Sequence, residues 1–317
     1  MKYWMNLIAL PLILTTACVS DGQTRLGFDV SNAIISPYDM REGGPPPDGI
    51  PSIDNPRFTR VEDVMFLEDD DIVIGYVRNG DARAYPFRIL IWHEIVNDTV
   101  GGKPVAVTYC PLCGTAMVMG REYDGRVLTF GVSGLLYNSD VLMFDRQTRS
   151  LWSQIGLKAV SGEFVGTEME WLPSEQMTWE AWRERYPESV VLNTNTGHQR
   201  DYRNLPYESY FASNRTMFPY ERNRRERDLS VKDWVAGVRH GGAEKAYPLD
   251  TVPTGKWVDD TIGGEAVRFH YDKDASLFRI RDAEGGDLPI VHVFWFAWQA
   301  FYPETEVWRS GGPFAGK

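Results

Sequence analysis

The chain has 317 residues, 43% hydrophobic and 24% charged, which supplies a core for one large domain or two ordinary ones and excludes a disordered polymer. Its formal net charge of −11 argues against nucleic acid as a general partner, because phosphate binding needs a basic surface. The 11 Trp, 15 Tyr and 15 Phe are read as aromatic core and strand surface.

The first 18 residues, MKYWMNLIALPLILTTAC, have the organisation of an export signal. Lys2 gives a positive start, Leu7 to Leu14 an apolar run too short to span a bilayer, and Thr15-Thr16-Ala17 a small-residue stretch. Cys18 then stands where a bacterial lipoprotein is cleaved and acylated, although Leu14 lies one place further from it than the usual pattern has it. The expectation is a protein of the periplasm or cell envelope, tied to the membrane by lipid on Cys18. Residues 19–61 follow as an extended lead-in, since GGPPPDGIPSIDNP suits neither a helix interior nor a central strand.

From residue 62 the chain echoes itself. ARAYPF at 82–87 resembles EKAYPL at 244–249, and VNDTVGGKPVAVTY at 96–109 resembles VDDTIGGEAVRFHY at 258–271, both at an offset of 162. WRERYPES at 182–189 resembles WQAFYPET at 298–305, but at an offset of 116, so the first copy carries 46 extra residues ahead of that block. The units expected are 62–192 and 232–317, joined by a polar connector at 193–231 that contains ERNRRERD.

Within the units the punctuation is that of hairpins. Asn79-Gly80, Gly101-Gly102, Asp124-Gly125 and Gly263-Gly264 sit between runs rich in Val, Ile, Tyr and Phe. IVIGYV, PVAVTY, AMVMG and RVLTFGV read as strands, with Met117 and Met119 on one face and Val118 on the other. SEQMTWEAWRERY at 174–186 reads as a helix capped by Ser174, with Trp179, Trp182 and Tyr186 on one face, and PIVHVFWFAWQAFYP ends in its counterpart. The fold class expected is α+β, mainly antiparallel β, built as two duplicated hairpin-rich units each closed by an aromatic-faced helix. Helices long enough for repeated parallel crossovers are missing.

TYCPLCGTAMVM carries the chemistry. Cys110 and Cys113 are the only cysteines besides Cys18, and Cys-Pro-Leu-Cys-Gly has the form of a metal knuckle, with Pro fixing φ and Gly allowing the tight turn. With no second cysteine pair, the remaining donors must be other groups, and His93, seventeen residues before Cys110, is the nearest candidate. Two thiolates and an imidazole suit zinc or copper, as a carrier or reactive centre. At the offset of 162, His93, Cys110 and Cys113 face Gly255, Asp272 and Ala275, so the chemistry is expected in the first copy and the second is read as scaffold. The same cysteines allow two other readings: a thiol–disulfide oxidoreductase and an envelope scaffold with a local disulfide. A strand after Cys113 counts against the redox reading, which normally uses a helix there. Ser139, Asp140, Asp145 and Arg146 are read as hairpin-end polar groups, and His198, His240, His270 and His292 as structural or exposed.

AYPFRILIWHEIVNDTVGGKPVAVTYCPLCGTAMVM, followed by LTFGVSGLLYNSDVLMFDRQTRSLWSQ, resembles the bacterial and archaeal domain-of-unknown-function family 3179. The resemblance runs through roughly residues 60–310 and is most specific over 84–154. It implies no particular activity and leaves the three readings open.

Overall fold

The computed structural model describes residues 23–222 and 228–310. The expected export signal with Cys18, and most of the ERNRRERD run, lie outside the described residues. What is described is mainly antiparallel β-structure with short helices, none longer than seven residues. No helix among the described residues is long and apolar enough to cross a membrane.

The hairpin Ile72–Arg78/Asp81–Pro86 is extended by Glu175–Thr178, antiparallel to its first strand, and by Val190–Leu192, parallel to its second. Beside it runs a meander of Ile95–Val100, Lys103–Cys110 and Thr115–Gly120. Later in the chain, Trp234–His240 and Ala243–Pro248 form a hairpin flanked by antiparallel Ile290–Phe294 and parallel Glu306–Val307. Trp257–Ile262, Glu265–Asp272 and Leu277–Asp282 form a second meander.

The correspondence extends to single atoms. Tyr85 donates its hydroxyl proton to Asp98 at 2.6 Å, and Tyr247 does so to Asp260 at 2.8 Å. Arg83 ion-pairs with Asp98 as Lys245 does with Asp260. The Trp182 indole donates to Ser189 and the Trp298 indole to Thr305, each at 2.9 Å. Gly75 and Gly237 lie under those same two rings, where a Cβ would come within 1.8 Å of Trp182 and 2.4 Å of Trp298. The contacts between halves are reciprocal: Phe294 N–H donates to Cys113 O and Thr178 N–H to Ala275 O, both at 2.9 Å.

The helix expected over 174–186 is shorter. It spans Trp179–Arg185 and is capped by Thr178, whose hydroxyl accepts from Ala181 N–H at 3.3 Å, because the preceding four residues are used as a strand on Ile72–Gly75. The counterpart helix is Trp295–Phe301. RVLTFGV is likewise broken, into Arg126–Val127 and the start of Phe130–Tyr137. A further helix, Phe87–His93, turns the chain from the first hairpin into the meander.

The part of the first half without a counterpart makes its own sheet. Phe130–Tyr137, Asp140–Asp145, Leu151–Ser153 and Lys158–Ser161 form an antiparallel meander, edged by Arg41–Glu42 from the lead-in. Met117 and Met119 share a core with both cysteines and with Trp295, Phe296 and Trp298 of the second half, while Val118 points into a separate core with Val107 and Tyr109. This agrees with the alternation read from the sequence.

Candidate metal centre

Lys103–Cys110 and Thr115–Gly120 pair in register up to Cys110 opposite Thr115, so Pro111-Leu112-Cys113-Gly114 is the turn that joins them. Gly114 has φ +69°, and a Cβ there would come within 2.4 Å of the Trp234 ring, so this position requires glycine on two counts. The turn is held from outside through its carbonyls: Tyr210 donates its hydroxyl proton to Leu112 O at 2.7 Å, and Phe294 N–H reaches Cys113 O.

A second hairpin meets this turn. Tyr137 pairs with Asp140, leaving Asn138 and Ser139 as a two-residue loop with φ +51° and +66°, the backbone that a right-handed strand twist demands. The loop delivers Asp140 against the cysteines. Both Sγ atoms and a carboxylate oxygen of Asp140 lie within 4.8 Å of one another, and all three side chains are buried. Asp140 Oδ2 accepts the Ile155 N–H at 2.9 Å, Oδ1 has no hydrogen bond of ordinary geometry among the described residues, and the Val141 N–H and the two thiols also act on the carboxylate. A buried carboxylate oxygen without such a bond is costly to leave so.

Neighbouring residues fix both hairpins. Gln154 bridges Thr108 and Thr115 on the cysteine hairpin, donating to Thr108 Oγ1 at 2.8 Å and accepting from Thr115 Oγ1 at 2.7 Å. Ile155, next in sequence, holds Asp140 through its N–H and accepts from the Tyr302 hydroxyl at 2.6 Å. The Gln154-Ile155 pair thus sets the distance between thiols and carboxylate.

The electrostatics are those of acids taken out of water. Burial pushes Asp140 up to about 7, opposed by the Ile155 and Val141 N–H groups and by the adjacent thiols. Burial, with the Asp140 charge, pushes Glu94 up to about 8. Burial raises Cys110, and raises Cys113 well above the ordinary thiol range. At neutral pH Glu94 and both thiols are mainly protonated, whereas Asp140 stands close to its midpoint. A divalent cation would reverse that balance by binding thiolate and carboxylate directly.

His93, expected among the donors, is elsewhere engaged. It closes the helix Phe87–His93, and its Nδ1 lies 2.7 Å from Pro51 O while its Nε2 lies 2.8 Å from the Tyr202 hydroxyl. A carbonyl can only accept, so Nδ1 carries the proton and Tyr202 donates to Nε2. Both ring nitrogens are used, and burial holds the imidazole down at about 4. The structure brings Cys110 and Cys113 together with Asp140, and leaves His93 bracing the segment that carries Tyr202. That segment, within the expected connector, packs over the site: Tyr210 is buried, and Ser139 Oγ donates to Phe218 O at 2.8 Å. In sequence Asp140 has the look of hairpin-end polarity. Asn138 and Ser139 do form the turn, but Asp140 turns inward. The signal that could have found it is the stretch of 46 residues by which the spacing of the similar blocks is longer in the first half, which contains Asp140, while the second half lacks both cysteines.

In the second half the position of Cys113 is Ala275, whose N–H donates to Asp272 Oδ1 at 3.1 Å, a local turn contact three residues apart. After Cys113 the chain enters the strand Thr115–Gly120, as the sequence indicated, so no helix N-terminus lowers its thiol.

Residues 47–305 match the model of the family described as protein of unknown function (DUF3179), and the chain belongs to that family. No curated protein and no solved structure gives a significant match.

Proposed function

We propose that this DUF3179 member binds a single thiophilic divalent metal through Cys110, Cys113 and Asp140, as a carrier or storage site in the cell envelope. One observation carries the reading: two buried thiols and a buried carboxylate converge within 4.8 Å of one another. Two sulfurs with a hard oxygen favour zinc over copper, because copper(I) prefers sulfur and imidazole throughout. His93 is a brace and not a donor in this reading.

The two halves are copies of one unit, supported by the repeated Tyr–Asp, Trp–hydroxyl and Trp-over-Gly contacts. The second copy acts as scaffold: it supplies Phe294 to the cysteine turn and Tyr302 to Ile155. Export and acylation at Cys18 rest on the N-terminal sequence alone. Disulfide exchange has less behind it, since burial disfavours the thiolate it needs and a strand follows Cys113.

The test is zinc affinity by competition with a chromophoric chelator, for the parent protein and for Cys110→Ser, Asp140→Asn and His93→Gln. Loss of a supporting contact costs roughly 10–100-fold in affinity, so loss of a ligand is expected to cost more than about 100-fold. The first two variants should lose that much and His93→Gln should stay within about tenfold. Equal losses in His93→Gln and Asp140→Asn would put the imidazole back in the site.

A further inference from the structure

The cysteine turn meets a fourth polar atom. Ser139 O lies 3.4 Å from Cys113 Sγ and 3.9 Å from Cys110 Sγ, and no backbone or side-chain N–H among the described residues is bonded to it. Zinc–sulfur bonds of about 2.3 Å and zinc–oxygen bonds of about 2.1 Å give a tetrahedron whose sulfur–oxygen edge is roughly 3.6 Å. The two separations straddle that edge. Ser139 is itself fixed: its hydroxyl is bonded to Phe218 O, and it occupies the second position of the tight two-residue loop at φ +66°.

We propose that the Ser139 carbonyl is the fourth donor, giving a closed tetrahedral site of two sulfurs and two oxygens with no position for water. The proposal rests on the metal reading above and deepens it: a closed site holds an ion and does not activate water on it. On entry of a divalent ion both thiols ionise, and so does Asp140 where it is protonated; these protons leave to solvent as two metal–sulfur bonds and the bonds to Asp140 and Ser139 O form. The ion takes the place of the thiol protons that now face Ser139 O and Asp140. The donor set suits an ion without a geometric preference of its own, zinc above the others.

The experiment loads the full chain, metal-free and anaerobic, with Co²⁺ as the probe and records its visible spectrum, then its electron spin resonance in water enriched in ¹⁷O. X-ray absorption of the Zn²⁺-loaded protein counts sulfurs and oxygens. The expected result is an intense tetrahedral Co²⁺ spectrum, no ¹⁷O broadening, and two sulfurs with two oxygens. A tetrahedral spectrum with ¹⁷O broadening overturns the Ser139 assignment, because water then holds the fourth position, and leaves the metal reading standing. No Co²⁺ or Zn²⁺ uptake by reduced, folded protein overturns both.

Discussion

At the scale of single residues, the acids around the cysteine turn and the buried histidines pull stability in opposite directions with pH. Asp140 and Glu94 are raised to about 7 and 8 from ordinary values of 3.8 and 4.5, mainly by burial. Groups raised on folding contribute stability that is present below their unfolded values and lost as pH climbs through the folded ones. His93 and His292 are held near 4, below the ordinary 6.5, also by burial, so their contribution is present above pH 6.5 and lost as pH falls. Above pH 6.5 the acids outweigh the remaining contribution of the histidines, and the metal-free protein should lose melting temperature between pH 6.5 and 8. Asp140→Asn and Glu94→Gln should each flatten that decline, and bound zinc should flatten it by claiming Asp140 as carboxylate. A melting temperature that rises over this interval without metal would contradict the assignment. His93 has a separate signature: His93→Gln disturbs the bonds to Pro51 and Tyr202, and leaving such groups unpaired costs about 1–3 kcal/mol. Urea midpoints at pH 7 check it; an unchanged midpoint would mean that the brace is dispensable.

Among the elements, the hairpins and meanders were legible because period-two alternation and Asn-Gly or Gly-Gly turns are local signals. The boundary of the first aromatic helix was not. Glu175–Thr178 has no local reason to leave a helical pattern; it does so because Ile72–Gly75 offers it an open strand edge about a hundred residues away. The site divides the same way. Cys110 and Cys113 declare themselves through the turn that holds them, whereas Asp140 reaches them only by the docking of a second hairpin, for which no spacing rule exists. His93 is close to Cys110 in sequence, but the helix Phe87–His93 carries its ring to Pro51 and Tyr202. The tightest element contact is testable. Gly75→Ala would drive a Cβ into the Trp182 ring, where only 1.8 Å separates them, and overpacking of this kind costs typically about 1–3 kcal/mol. Chemical denaturation should show at least that loss with an unchanged slope; a neutral result would mean that the indole is not clamped onto the hairpin.

At the scale of the whole molecule, the first half carries a sheet, from Phe130–Tyr137 to Lys158–Ser161, that has no counterpart among the described residues of the second. That sheet brings Asp140, the Ser139 carbonyl and the Gln154-Ile155 pair to a cysteine turn that the other half does not possess, and the segment bearing Tyr202 and Tyr210 covers the result. The most direct test of the central claim is the metal content and free-thiol count of the protein purified anaerobically from the cells that make it. The account predicts close to one zinc per chain, with Cys110 and Cys113 protected from alkylation until a chelator is added. Metal-free protein with both cysteines oxidised to each other would contradict it.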